Sequence, residues 1–117
     1  DPLRTKLLIN AVADLIPIDK IAVHFHDTYG QALANILRAI DLGVTTIDSA
    51  VGGLGGCPYA DGASGNVATE DVVYMLDGMS LSTGIDLNKV VETAWWISGK
   101  LNKQPSSRVA HAMGAGK

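Results

Sequence analysis

Two imidazoles stand one residue apart at His24 and His26, with the carboxylate of Asp27 directly after them. Side chains at i and i+2 of an extended chain point the same way, so a strand ending here presents both rings to one point. Neutral imidazole is a good donor to a divalent cation, and two on one rigid strand lower the entropy cost of assembling a site. The pair reads either as cation ligands or as structural or surface histidines. Cys57, the single cysteine, lies in Gly52-Gly53-Leu54-Gly55-Gly56-Cys57-Pro58. A packing cysteine normally sits on an apolar strand or helix face, whereas glycines permit backbone shapes and close approaches that other residues cannot. A loop of that kind can close over a substrate and bring a thiol to the reacting atom; the other reading is a chance cysteine in a linker. No Gly-Lys-Ser/Thr ending follows, which counts against a phosphate cradle. Asn66, at the end of the same stretch, offers an amide oxygen suited to Mg²⁺ or Mn²⁺, or else serves as a turn or helix-entry residue. Asp48 reads as a substrate-orienting group or a simple strand-end cap.

These residues need elements to hold them. Pro2 to Ile16 reads as an amphipathic helix with Leu3, Leu7, Leu8, Ala11, Val12 and Leu15 at helical spacing, closed by Pro17. Ile21 to Phe25 reads as a buried strand carrying the histidines, and Asp27-Thr28-Tyr29-Gly30 as a turn. Gln31 to Leu42 is expected to be a second helix, with Leu33, Ile36, Leu37 and Ile40 on one face and Gly43 as its terminal glycine. Val44 to Ser49 is the next strand. Helix, strand, helix and strand with short connections imply parallel pairing and a right-handed crossover. Six glycines fall between Gly52 and Gly65, which reads as a long mobile loop. Thr69-Glu70-Asp71 then opens a helix that ends near Gly78. Another runs from about Asp86, its N-cap, to Leu101, with Pro105 as the stop and a helical tail from Ser106 to Ala115. Of the adjacent Trp95 and Trp96, one is expected in the core and the other at an interface. His111 reads as a solvated or packing histidine.

The composition narrows the class. With 117 residues, 47 % hydrophobic and 18 % charged, the chain suits one small packed domain. A net charge of −3 and scattered basic residues argue against a nucleic-acid surface, and no apolar run approaches membrane-spanning length. The lone cysteine allows no internal disulfide and suits a reducing compartment. Two or three strands, however, cannot cover both faces and both edges of a parallel sheet. The fold class expected is therefore α/β, the C-terminal portion of a (β/α)₈ TIM barrel spanning residues 1–117, with two or three parallel strands and additional C-terminal helices.

The run from Ala22 to Asn35, AVHFHDTYGQALAN, is similar to a metal-binding strand of the hydroxymethylglutaryl-CoA lyases. Gly53 to Ala60, GLGGCPYA, resembles their cysteine loop, and Gly62 to Asp71, GASGNVATED, the segment after it. The resemblance runs through the whole chain, and the Cys-Pro-Tyr-Ala stretch points to the lyase branch of a wider barrel superfamily. It implies that His24, His26 and Asn66 bind Mg²⁺ or Mn²⁺, that His24 relays a proton, and that Cys57 is the catalytic loop thiol. It implies cleavage of an acyl-CoA substrate, 3-hydroxy-3-methylglutaryl-CoA, to acetyl-CoA and acetoacetate, by a homo-oligomer (a dimer) in bacterial cytoplasm or mitochondrial matrix. It also implies an arginine and an aspartate ligand from a first strand not found in these residues, so the chain alone is expected to bind metal weakly and to be inactive. Two alternatives stand beside it: a different barrel enzyme using Zn²⁺, which needs more ligands, and a non-catalytic chain that self-associates.

Overall fold

The computed structural model describes residues 1–55 and 65–115, which form two compact units, Asp1–Asp48 and Ser49–Lys117. In the first unit, helix α1 spans Pro2–Ala13. Asp1 caps it by accepting from the Arg4 backbone N–H at 2.9 Å, and Pro2 sits in the first turn, where its missing N–H costs nothing. The helix stops before the expected Ile16, because Leu15 and Ile16 both turn back to the Val12 carbonyl. Its buried side chains are Thr5 and Ile9, not the leucine row: Leu3, Leu7, Leu8 and Leu15 are 60–86 % exposed. Spacing alone identifies an apolar stripe, but the elements available to pack against it decide which stripe is buried. Here those are a second helix and one face of a small sheet.

That sheet pairs β1 (Ala22–His24) in parallel with β2 (Thr46–Asp48), in the register Ala22↔Thr46, Val23↔Ile47 and His24↔Asp48. Helix α2, Ala32–Asp41, makes the crossover. Its buried face is Ala32, Asn35, Ile36 and Ala39, rotated from the expected one so that Leu37 faces out. Ile9, Val23, Ala39 and Val44 make the core, with Ile18, Ile21, Phe25, Leu42 and Ile47 around them. Gly43 ends α2 as expected: at φ +104 it bonds back to the Ile40 carbonyl, while the Val44 N–H reaches Ala39. Those two bonds satisfy carbonyls that the helix would otherwise leave open. Both outer edges of the sheet are unpaired among the described residues. A groove of about 220 Å³ lies between α1 and β1, lined by residues that include Thr5, Leu8, Val12, Ile21 and Phe25.

In the second unit, Ala50 bridges Ala68 in parallel, with Ala50 N–H donating to Val67 and Thr69 N–H to Ala50. Asn66 is also a bridge residue, and no strand longer than a bridge forms in this stretch among the described residues. Helices α3 (Thr69–Gly78), α4 (Leu87–Lys100) and α5 (Arg108–Met113) follow. Asp86 caps α4 through Lys89 N–H at 3.1 Å, as expected. Pro105 does not stop that helix. The helix ends at Leu101 as expected, turned off by Asn102 in the left-handed region at φ +53, with Lys103 N–H bonding back to Ser98. Trp95 is half-buried and donates its indole N–H to the Ala110 carbonyl at 3.0 Å, whereas Trp96 is 62 % exposed. His111 packs edge-on to Trp95 and donates through Nε2 to the Pro105 carbonyl at 2.7 Å. It ties down the tail, as a packing histidine.

Candidate metal centre

The histidine pair sits where β1 leaves the sheet. The ring centroids of His24 and His26 lie 5.3 Å apart with planes tilted by 60°, as side chains two apart on an extended segment should. Register places Asp48 beside His24, and His24 Nδ1 is 3.9 Å from Asp48 Oδ2. That is too long for a hydrogen bond, and both side chains are more than half exposed, so the pair contributes little to stability.

His26 is different. Its Nδ1 is buried and has no hydrogen-bond partner among the described residues. Asp27, next in sequence, turns away. Its carboxylate accepts the Ala32 N–H at 3.1 Å and its carbonyl accepts from Gly30, whose φ of +71 closes the turn. Asp27 thus caps α2 and aims that helix back over the sheet.

In the second unit, Asn66 donates through Nδ2 to the Leu54 carbonyl at 3.0 Å. That bond settles which end of the amide is which, since a carbonyl only accepts. Asn66 Oδ1 is left buried and without a partner among the described residues. The approach of residues 53–55 to 65–66 is close enough to require glycine. A Cβ on Gly65 would overlap the carbonyl oxygens of Gly53 and Gly55, and one on Gly55 would lie 2.8 Å from Asn66 Nδ2.

The donor set can be tested on these atoms. A buried lone pair without a donor is costly, about 1–3 kcal/mol, unless something outside the hydrogen-bond network uses it. His26 Nδ1 and Asn66 Oδ1 are both buried and unpartnered among the described residues, one an imidazole nitrogen and one an amide oxygen, and both atom types suit a divalent cation. The structure brings His24, His26 and Asp48 together; Asn66 belongs to the other unit. Among the described residues, no three His, Cys, Asp or Glu side chains form a cluster able to hold a metal. Cys57 lies outside the described residues. Glu70, which the sequence marks only as part of a helix opening, is fully buried, and its Oε1 accepts the Gly52 N–H at 2.8 Å. Its place in the first turn of a helix reads as dipole complementarity, and only the fold shows what it holds.

The HMGL-like family profile matches residues 1–97. The chain belongs to that family. Among its curated relatives, the cytoplasmic 3-hydroxy-3-methylglutaryl-CoA lyase of Mus musculus is 59 % identical over 107 residues, covering 92 % of this chain and 31 % of the relative. The mitochondrial hydroxymethylglutaryl-CoA lyase of Homo sapiens is 55 % identical over 107 residues, covering 92 % of this chain and 33 % of the relative. A solved HMG-CoA lyase from Acinetobacter baumannii, in complex with coenzyme A and 3-methylmalate, superposes with a TM-score of 0.90 at 38 % identity, over 96 % of this chain and 37 % of that one. The chain therefore spans about a third of the length of the relatives it matches. No helix among the described residues is long and apolar enough to cross a membrane.

Proposed function

We propose that this HMGL-like chain is the C-terminal part of a (β/α)₈ barrel, residues 1–117, in a lyase that splits 3-hydroxy-3-methylglutaryl-CoA into acetyl-CoA and acetoacetate. The observation that carries the reading is the pair of unpartnered buried atoms, His26 Nδ1 and Asn66 Oδ1, on two residues that the family resemblance names as cation ligands. The names of the relatives, and the coenzyme A in the Acinetobacter structure, supply the substrate class, an acyl-CoA. His24, His26 and Asn66 would hold Mg²⁺ or Mn²⁺, with an anionic ligand from outside these residues. The cation would supply Lewis acidity toward the substrate hydroxyl and carboxylate.

The chemistry asks two things of the chain's own residues. The tertiary hydroxyl must lose its proton as the C2–C3 bond breaks; the electron pair goes to C2 as a thioester enolate and C3 becomes the ketone of acetoacetate. The resemblance gives His24 the relay of that proton, and His24 Nδ1 stands 3.9 Å from Asp48 Oδ2. The enolate carbon must then gain a proton with bulk water kept away, and Cys57, on the glycine loop, donates it. The family's cytoplasmic and mitochondrial members set the two compartments to consider, and a homodimer is the assembly we expect.

The open sheet edges and the leucine row of α1 fit strands and helices on either side in the barrel. They also favour self-association of the 117 residues when expressed alone. The test is to express the gene product at its native length, strip it with EDTA and assay acetoacetate release on adding Mg²⁺ or Mn²⁺. Cation-dependent release that disappears in His26→Ala bears the reading out. Cleavage indifferent to both cations, or unaffected by that substitution, overturns it.

A further inference from the structure

A carboxylate with no exposure and only one hydrogen bond is an expensive residue to keep. Glu70 is such a group: Oε1 accepts the Gly52 N–H at 2.8 Å, and Oε2 has no partner among the described residues. Stability alone does not account for it, because burying a carboxyl group with one oxygen unpaired costs more than an apolar residue in the same place.

What that bond holds is the turn at Val51–Gly53. Gly52 sits at φ +64, and its carbonyl accepts from both the backbone N–H of Ser106 at 3.1 Å and its hydroxyl at 3.0 Å. Within the turn, Gly53 N–H bonds to Ala50 and Leu54 N–H to Val51. The exit of this turn is the Leu54 carbonyl, which receives Asn66 Nδ2. Glu70 and Asn66, four residues apart, thus grip one short stiff turn at two points, its middle and its exit.

We propose that Glu70 is a positioning residue for the cation site. By fixing Gly52 it fixes the Leu54 carbonyl, and through that carbonyl it sets the direction of Asn66 Oδ1. The inference rests on the reading of Asn66 as a ligand and adds the group that aims it. Partners that orient a metal ligand typically change affinity by about 10–100-fold when removed.

The test uses the native-length protein and two readouts: the dissociation constant for Mn²⁺, from the electron paramagnetic resonance signal of free Mn²⁺, and the melting temperature of the cation-free protein. Glu70→Ala is expected to weaken Mn²⁺ about tenfold. Glu70→Gln keeps an acceptor for Gly52 and should stay within about twofold of the parent. Glu70→Asp, which keeps the charge but draws the acceptor back by one methylene, should weaken Mn²⁺ at least about threefold, and it carries the test if the alanine variant does not fold. A role confined to stability would lower the melting temperature with an unchanged Mn²⁺ constant, and that result overturns the proposal. Asn66→Ala separates the two ideas. If it leaves Mn²⁺ binding intact, the ligand reading itself fails; if it weakens binding while a folded Glu70→Ala or Glu70→Asp does not, only the positioning role fails.

Discussion

Gly65→Ala offers a sharp trial of the stem geometry, because one methyl meets two backbone oxygens at once. A Cβ there would overlap the carbonyls of Gly53 and Gly55. Neither obstacle is the end of a flexible side chain, so neither can swing aside. The backbone itself must move, and Gly53 is anchored by its N–H to Ala50 while Leu54 holds Asn66. Overpacking typically costs 1–3 kcal/mol, and an unyielding backbone puts this case near the top, at about 3 kcal/mol. Relief by parting the two stems would also displace the Leu54 carbonyl from Asn66. Misplacement of a reacting geometry by about 1 Å can cost about a hundredfold in turnover.

The control is Gly99→Ala in the exposed last turn of α4, where an added Cβ meets nothing within 4 Å. That substitution should stabilise by a few tenths to about 1 kcal/mol, since alanine is the better helix former. Thermal melting of the two variants side by side, with cation-activated turnover, makes the comparison. Opposite signs in melting temperature, and loss of turnover only in Gly65→Ala, are the expected outcome. A Gly65→Ala protein as stable and active as its parent would show that residues 53–55 and 65–66 are not in contact as described, and the account of how Asn66 is aimed would fall with them.

Ile36→Ala should cost about 2–5 kcal/mol, seen in the denaturation midpoint, because the side chain is fully buried and its removal leaves a cavity. Ser107→Ala should cost about 1 kcal/mol, since its buried hydroxyl caps α5 by accepting the Ala110 N–H at 2.9 Å; an unchanged melting temperature would count against that cap. Cys57→Ser in the native-length protein should lower kcat far more than it raises KM, because the thiol is assigned to the chemical step. Steady-state kinetics with unchanged kcat would remove Cys57 from the mechanism.

The features legible in the sequence were those with local causes. Asp86 capping α4, Gly43 ending α2 and the same-side placement of His24 and His26 each depend on residues within one turn or one strand. So does the parallel order of β1 and β2, which short connections around a helix impose. Misreadings arose where a distant partner decides. The leucines of α1 have helical spacing, yet Ile9 is the side chain that meets Val23, Ala39 and Val44. Pro105 looked like the stop of α4, but Asn102 had already taken the left-handed turn. The candidate ligands could be named from residue type and resemblance. That His26 Nδ1 and Asn66 Oδ1 are unpartnered is a tertiary property, because it depends on where every competing donor has gone. Glu70 makes the same point most strongly: its acid group acts on Gly52, 18 positions away, and no local pattern relates a helix-opening glutamate to the turn it holds. Sequence by itself determines the elements, their caps and the chemical types on offer. Which lone pairs are spare, which face is buried and which charge holds which turn are decided only when the chain has folded, since each is a competition among groups far apart in sequence.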